Sequence, residues 1–269
     1  MMESGVKPAD IGSLSLLGFK VNTLSDRGVV DLIRDAIAHH HQYVFGHHNS
    51  HSLYLSTRTP KMREFYAIAH YVLIDGMSLV LLGRMLGLRL KREHRATSLD
   101  FMPLLLPEAL EGNWRIYYLG SRPGVAERGA IKLRAQFPGL QIRTHHGYFN
   151  LEKSSEENRQ VLDDINAYAP HILLVGMGMP LQEKWILENR EELAANVIAP
   201  CGAHMDYVAG EIPEAPRWLA TVYLEWLYRL ISEPRRLSFR YLIEPWFLVR
   251  LIVRDRMDQG RRRPLELAD

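Results

Sequence analysis

The chain has 269 residues, 47% of them hydrophobic and 24% charged, with one cysteine and a formal net charge of +2. These values lie near the averages for globular proteins and exclude a disordered or collagen-like chain. Cys201 has no internal disulfide partner, no run of 18 uncharged apolar residues occurs, and the start lacks the pattern of a secretory leader, so a reducing, cytoplasmic setting without a membrane span is expected.

In chain order, residues 1–12 are polar and unpatterned and read as a loose arm. LGFKVNT at 17–23 reads as a strand. A helix follows over 26–40, with Val29, Val30, Ile33, Ala36 and Ile37 on one face and Ser25 or Asp26 as its cap. YVFGHHN at 43–49 is a second strand, 60–70 a helix, and YVLIDG at 71–76 a third strand running into the apolar helix MSLVLLGRMLG. Beyond Trp114 the strands WRIYYLG (114–120), QIRTHHGYF (141–149), HILLVGMG (171–178) and NVIAPCGAHMD (196–206) alternate with helical stretches. These strands are continuous apolar runs, the pattern of a parallel sheet buried on both faces. The expected class is α/β: a Rossmann-like, mainly parallel sheet flanked by helices over 13–215, followed by a C-terminal appendage over 216–269.

Ligands of open parallel sheets bind beyond the carboxyl ends of the strands, which directs attention to the residues there. Asp75, delivered by Tyr71-Val72-Leu73-Ile74, is placed to act as a general base or, equally, to cap the next helix. The loop LGSRPG (119–124), with Gly120, could offer backbone N–H groups to a phosphate, although most such Gly-Pro loops are only turns. In VGMGMPLQEKW (175–185), Gly176 and Gly178 permit close approach of a ring, and Gln182 offers a donor and an acceptor; Pro180 and Glu183 also suit a plain helix start. Cys201, His204 and Asp206 could be imagined as a nucleophilic triad, but inert burial is the commoner fate of a lone thiol. Six histidines at 39–51 lack the spacing of a metal site, since three are consecutive and His47 and His48 point to opposite sides of a strand.

Residues 217–263 hold eleven arginines, no lysine and five acids, which leaves the rest of the chain net acidic. RWLATVYLEWLYRLI (217–231) carries an apolar helical stripe opposite Arg217, Thr221, Glu225 and Arg229. Pro234 should break it, and YLIEPWFLVRLIV (241–253) is too short and too charged to span a bilayer. Basic, tryptophan-bearing amphipathic segments bind anionic lipid surfaces, so 217–256 is expected to meet a membrane; the plainer alternative is a helical pair packed on the body. Guanidinium groups also grip phosphate oxygens in bidentate fashion, which suits a diphosphate partner. No base-reading module suggests nucleic acid.

The segments from Asn49 to DG (75–76), GMGMPLQEKW (176–185), YVAG…APRW (207–218) and LEWLYRLISEPRRLSFRYL (224–242) resemble the WecG/TagA/CpsF bacterial glycosyltransferases, over residues 17–250. The resemblance implies inverting, metal-independent transfer of a hexose from a UDP-sugar to a sugar on undecaprenyl diphosphate, by a peripheral protein on the inner face of the cytoplasmic membrane. It needs no cofactor. A homo-oligomer is compatible with it. The family's base falls on Asp75, its strand-end threonine and asparagine on His47 and Asn49, its loop arginine on Arg95 and its glutamine on Gln182. Donor or substrate contacts are thus expected from His47, Asn49, Arg95, Gly120, Gly176 and Gln182, and diphosphate contacts from Arg229, Arg236 and Arg240. His47 departs from the family threonine, and Glu214-Ala215-Pro216 stands where the family has Arg-Ala-Pro. HHNSHS (47–52) and KREHRATSLDF (91–101) look closest to glucosyltransferases of xanthan-type exopolysaccharide assembly, so glucose is the first expectation for the donor sugar and N-acetylmannosamine or its uronate the alternative. A rival of another class is a non-catalytic membrane-surface protein in which Asp75 is only a cap. A dinucleotide oxidoreductase would need a GxGxxG turn at the first strand, which LGFKVNT lacks.

Overall fold

The computed structural model describes residues 11–213, 219, 225–232 and 234–262. Residues divide into two compact units, 1–14 with 20–214 and 15–19 with 215–269. The larger unit carries a six-stranded parallel sheet in the order β4-β3-β8-β7-β5-β6. Its strands are β3 (Tyr43–His48), β4 (Tyr71–Ile74), β5 (Ile116–Gly120), β6 (Ile142–His145), β7 (Ile172–Gly176) and β8 (Val197–Pro200). β5 and β7 are buried at every position, as their unbroken apolar runs require.

The expectation for the first strand needs correction. β2 (Phe19–Asn22) does not enter the main sheet but pairs with β1 (Ser13–Leu16) in a separate two-stranded ribbon. Gly18, with φ of 84°, makes the connecting turn, a conformation glycine adopts without strain.

Side chains alternate between two cores, one on each face of the sheet. Phe45, Leu73, Ile116, Tyr118, Leu174 and Ala199 pack with α1 (Asp26–Ala38), α5 (Ser98–Glu111), α6 (Val125–Gln136) and Met205 of α9 (His204–Ala209). Val44, Tyr117, Leu119, Leu173, Val175 and Ile198 pack with α3 (Pro60–Ile68), α7 (Glu156–Tyr168) and α8 (Leu181–Asn189). Ser25 caps α1 by accepting from Gly28 N at 3.2 Å. α2 (Ser50–Arg58) and α4 (Met77–Met85) complete the unit.

In the smaller unit, helices Glu225–Ser232 and Pro234–Ser238 precede a π-helical turn, Phe239–Ile243, and helix Glu244–Arg262. Pro234 opens a helix, where its missing N–H costs nothing. No described helix is long and apolar enough to cross a membrane.

Candidate active site

The chain leaves β5 toward β6 on one side and leaves β7 toward β8 on the other, so a crevice opens beyond the adjacent ends of β5 and β7. Gly120 and Gly176 lie in register there. A Cβ on Gly120 would strike the Gly176 backbone, and one on Gly176 would strike Tyr118 Oη and Gly202 O. Both positions are closed to larger residues by contact with backbone or buried side chain, which keeps the crevice floor thin.

Further along the same end of the sheet, beyond β8, β3 and β4 deliver the polar group expected from sequence. Parallel register sets His48 opposite Ile74, so the next residues, Asn49 and Asp75, emerge together. Asn49 Nδ2 donates to Asp75 Oδ2 at 2.9 Å, and its Oδ1 accepts from Ser52 N at 3.0 Å as the cap of α2. The Ser52 hydroxyl in turn accepts from Asn49 N at 2.9 Å, closing a capping box. The two roles fix the Asn49 amide in one orientation. Gly76, not Asp75, is the N-cap residue of α4, and no side chain caps that helix. The purely structural alternative for Asp75, a helix cap, is therefore not what the carboxylate does.

His47 is buried next to Asp75, and among the described residues its Nε2 has no hydrogen-bond partner. Burial holds its imidazole below the ordinary range, while the Asp75 carboxylate pulls the other way. His48 points to the opposite face, its ring 3.9 Å from the Tyr66 ring centroid and its Nδ1 2.9 Å from Ser52 Oγ. Burial lowers it to about 3, so it is a neutral imidazole at physiological pH. His39, His40 and His41 are exposed at the far end of α1, and among the described residues no group of three or more His, Cys, Asp or Glu could hold a metal ion.

Arg95 lies along the outer edge of β4, bridged to Ile74, with its guanidinium 3.5 Å from the Asp100 carboxylate. Asp26 shares this neighbourhood: burial and Asp100 raise its carboxyl to about 6, against the opposing pull of Arg95. Gln182 is buried at the head of α8, where its Oε1 accepts from Gly178 N and Gly202 N, both at 3.2 Å. Its Nε2 donates to Glu183 Oε1 at 2.8 Å. The structure thus places Gln182 as a tie between the loops leaving β7 and β8. Arg240 sits in the π-helical turn of the smaller unit; the side chains of Arg229 and Arg236 lie outside the described residues.

The imagined triad does not assemble. Burial raises the Cys201 thiol and lowers the His204 imidazole to about 4, and the Asp206 carboxylate instead accepts from Ser121 Oγ at 2.8 Å. Cys201, His204 and Asp206 also do not share a strand, since β8 ends at Pro200 and α9 starts at His204. Sequence reasoning missed Ser121 and Tyr118. Ser121 adopts a left-handed conformation with φ of 58°, its hydroxyl 2.9 Å from Tyr118 Oη and its carbonyl accepting from Gly147 N at 3.0 Å. A non-glycine residue in this conformation is unusual, and nothing in LGSRPG announces which residue takes it.

A doubly wound parallel sheet with a hydrogen-bonded carboxylate and paired glycines at its strand ends defines a Rossmann-like α/β fold. The family model described as the glycosyl transferase WecG/TagA/CpsF family matches residues 14–262, and the chain belongs to that family. It is a glycosyltransferase. Similar curated proteins include the N-acetylglucosaminyldiphosphoundecaprenol N-acetyl-beta-D-mannosaminyltransferases of Staphylococcus aureus strains MW2, NCTC 8325 / PS 47 and COL. Each is 26% identical over 207 residues, covering 72% of this chain and 78% of the relative.

Proposed function

We propose that this glycosyltransferase moves N-acetylmannosamine from a UDP-sugar to N-acetylglucosamine carried on undecaprenyl diphosphate, with inversion and without a metal ion. The names of the relatives favour this sugar over the glucose first expected from residues 47–52 and 91–101. One observation carries the mechanism: Asp75 accepts a single oriented hydrogen bond from Asn49 and is not engaged in capping α4. In the proposed step the acceptor hydroxyl gives its proton to the Asp75 carboxylate as its oxygen bonds to the anomeric carbon. The bond from that carbon to the donor's diphosphate oxygen breaks, and UDP leaves with the electron pair. Arg229, Arg236 and Arg240 of the basic C-terminal region would balance the charge on the departing diphosphate, a role their guanidinium groups suit.

The exposed apolar side chains of the smaller unit support docking at the membrane that holds such an acceptor. Leu242, Trp246, Val249, Val253 and Met257, all at least half exposed, recur at helical spacing. Pure protein incubated with a panel of UDP-sugars and lipid-linked N-acetylglucosamine tests the reading. Turnover of UDP-N-acetylmannosamine that persists in chelator is expected; preference for UDP-glucose overturns the sugar, and loss of activity in chelator overturns the metal-free step.

A further inference from the structure

Glu183 is fully buried, and among the described residues its Oε2 has no hydrogen-bond partner. Burial raises its carboxyl to about 7. An apolar side chain of the same size would fill this volume without the desolvation cost of a carboxyl group. What the carboxyl provides is a directional acceptor: Oε1 takes the hydrogen bond from Gln182 Nε2 at 2.8 Å. That bond holds the Gln182 amide with Oε1 facing the other way, where it gathers Gly178 N from the loop after β7 and Gly202 N from the loop after β8. Gly178 and Gly202 both have positive φ, 79° and 57°, so neither loop is held by regular secondary structure at that point. The Gly202 carbonyl in turn crowds Gly176 on the floor of the crevice.

We infer that Glu183 is a positioning residue for the donor site: it orients the Gln182 amide, and through that amide sets the spacing of the β7 and β8 loops against which a nucleoside diphosphate lies. This rests on the reading of the donor as a UDP-sugar. Glu183 touches no substrate and acts through Gln182.

The test is UDP binding by calorimetry to the full chain, with melting temperatures recorded alongside. Glu183→Met removes the acceptor at similar volume and should weaken UDP binding about 10-fold. Glu183→Gln keeps an acceptor oxygen and should restore most of the affinity. In a Gln182→Ala background, Glu183→Met should cost little more, because the amide it orients is gone. Additive losses in that cycle, or equal binding by wild type and Glu183→Met, overturn the inference while leaving the donor reading intact. Absence of UDP binding by the wild-type chain overturns the donor reading and the inference with it. If Glu183→Met is recovered unfolded, amide exchange at Gly178 and Gly202 decides. Protection kept in Glu183→Gln and lost in Gln182→Ala supports the tie; protection kept in both overturns it.

Discussion

Asn49 does two jobs with one amide, and they can be separated by substitution. Its Oδ1 caps α2 while its Nδ2 holds Asp75. Aspartate is as good an N-cap as asparagine, so Asn49→Asp should keep the cap of α2, and any loss of melting temperature should come from repulsion between the two carboxylates and shrink as pH is lowered. The substitution places a second carboxylate against Asp75 and removes the donor, and turnover should fall about 100-fold. Asp75→Asn should lose about 10²- to 10⁴-fold in turnover with UDP affinity kept; full activity would eliminate the base. His48 supplies a pH prediction. Its folded value of about 3 lies below that of an unfolded histidine, so between roughly pH 3 and 6.5 the unfolded state binds the extra proton. Stability is complete above that window and declines as pH falls through it. Thermal melts from pH 7 to pH 4 should drop less steeply for His48→Asn, which cannot take the proton; parallel curves would refute the assignment.

At the level of elements, the strands of the main sheet are readable from sequence, whereas β1, α2, α5 and α9 are not. β5 and β7 are apolar throughout, and any sheet that buries both faces needs such runs. α2 has no clear sequence signal because SHSLYLSTR carries few apolar residues and is held by the Asn49 capping box, with only Ser52, Leu53 and Ser56 buried. α5 contains Pro103 and Pro107, residues that ordinarily break helices. Four apart, they fall on one exposed side while Phe101, Met102, Leu105 and Leu106 remain buried on the other. The glycine crowding at the strand ends gives an element-scale prediction. Gly176→Ala drives a methyl into Tyr118 Oη and Gly202 O, and should destabilise the fold by about 1–3 kcal/mol in denaturant titration. An unchanged midpoint would mean the strand ends are not packed as described.

For the whole molecule, the uneven charge and the exposed apolar stripe belong to the same stretch of chain. Trp246 is 74% exposed and Val253 53% exposed, on a helix that also bears Arg250 and Arg254. Replacing Trp246 and Val253 by glutamate should lower partitioning onto anionic vesicles about tenfold. The melting temperature of the protein should hardly move, since neither side chain is buried; undiminished flotation would remove the membrane role from this helix.

Sequence by itself determined the α/β class, the approximate positions of the six main-sheet strands and Asp75 at a strand end, because apolar runs and turn residues act over a few neighbouring positions. It singled out Gln182 as a candidate ligand contact but could not show that its amide oxygen is occupied by Gly178 and Gly202. The tertiary structure alone decided the order of strands, the exclusion of β2 from the main sheet, and the meeting of Asn49 with Asp75 across 26 positions of chain. The reason is physical. Which strands become neighbours depends on how distant apolar faces and right-handed crossovers fit together, and no local pattern of residues encodes that choice.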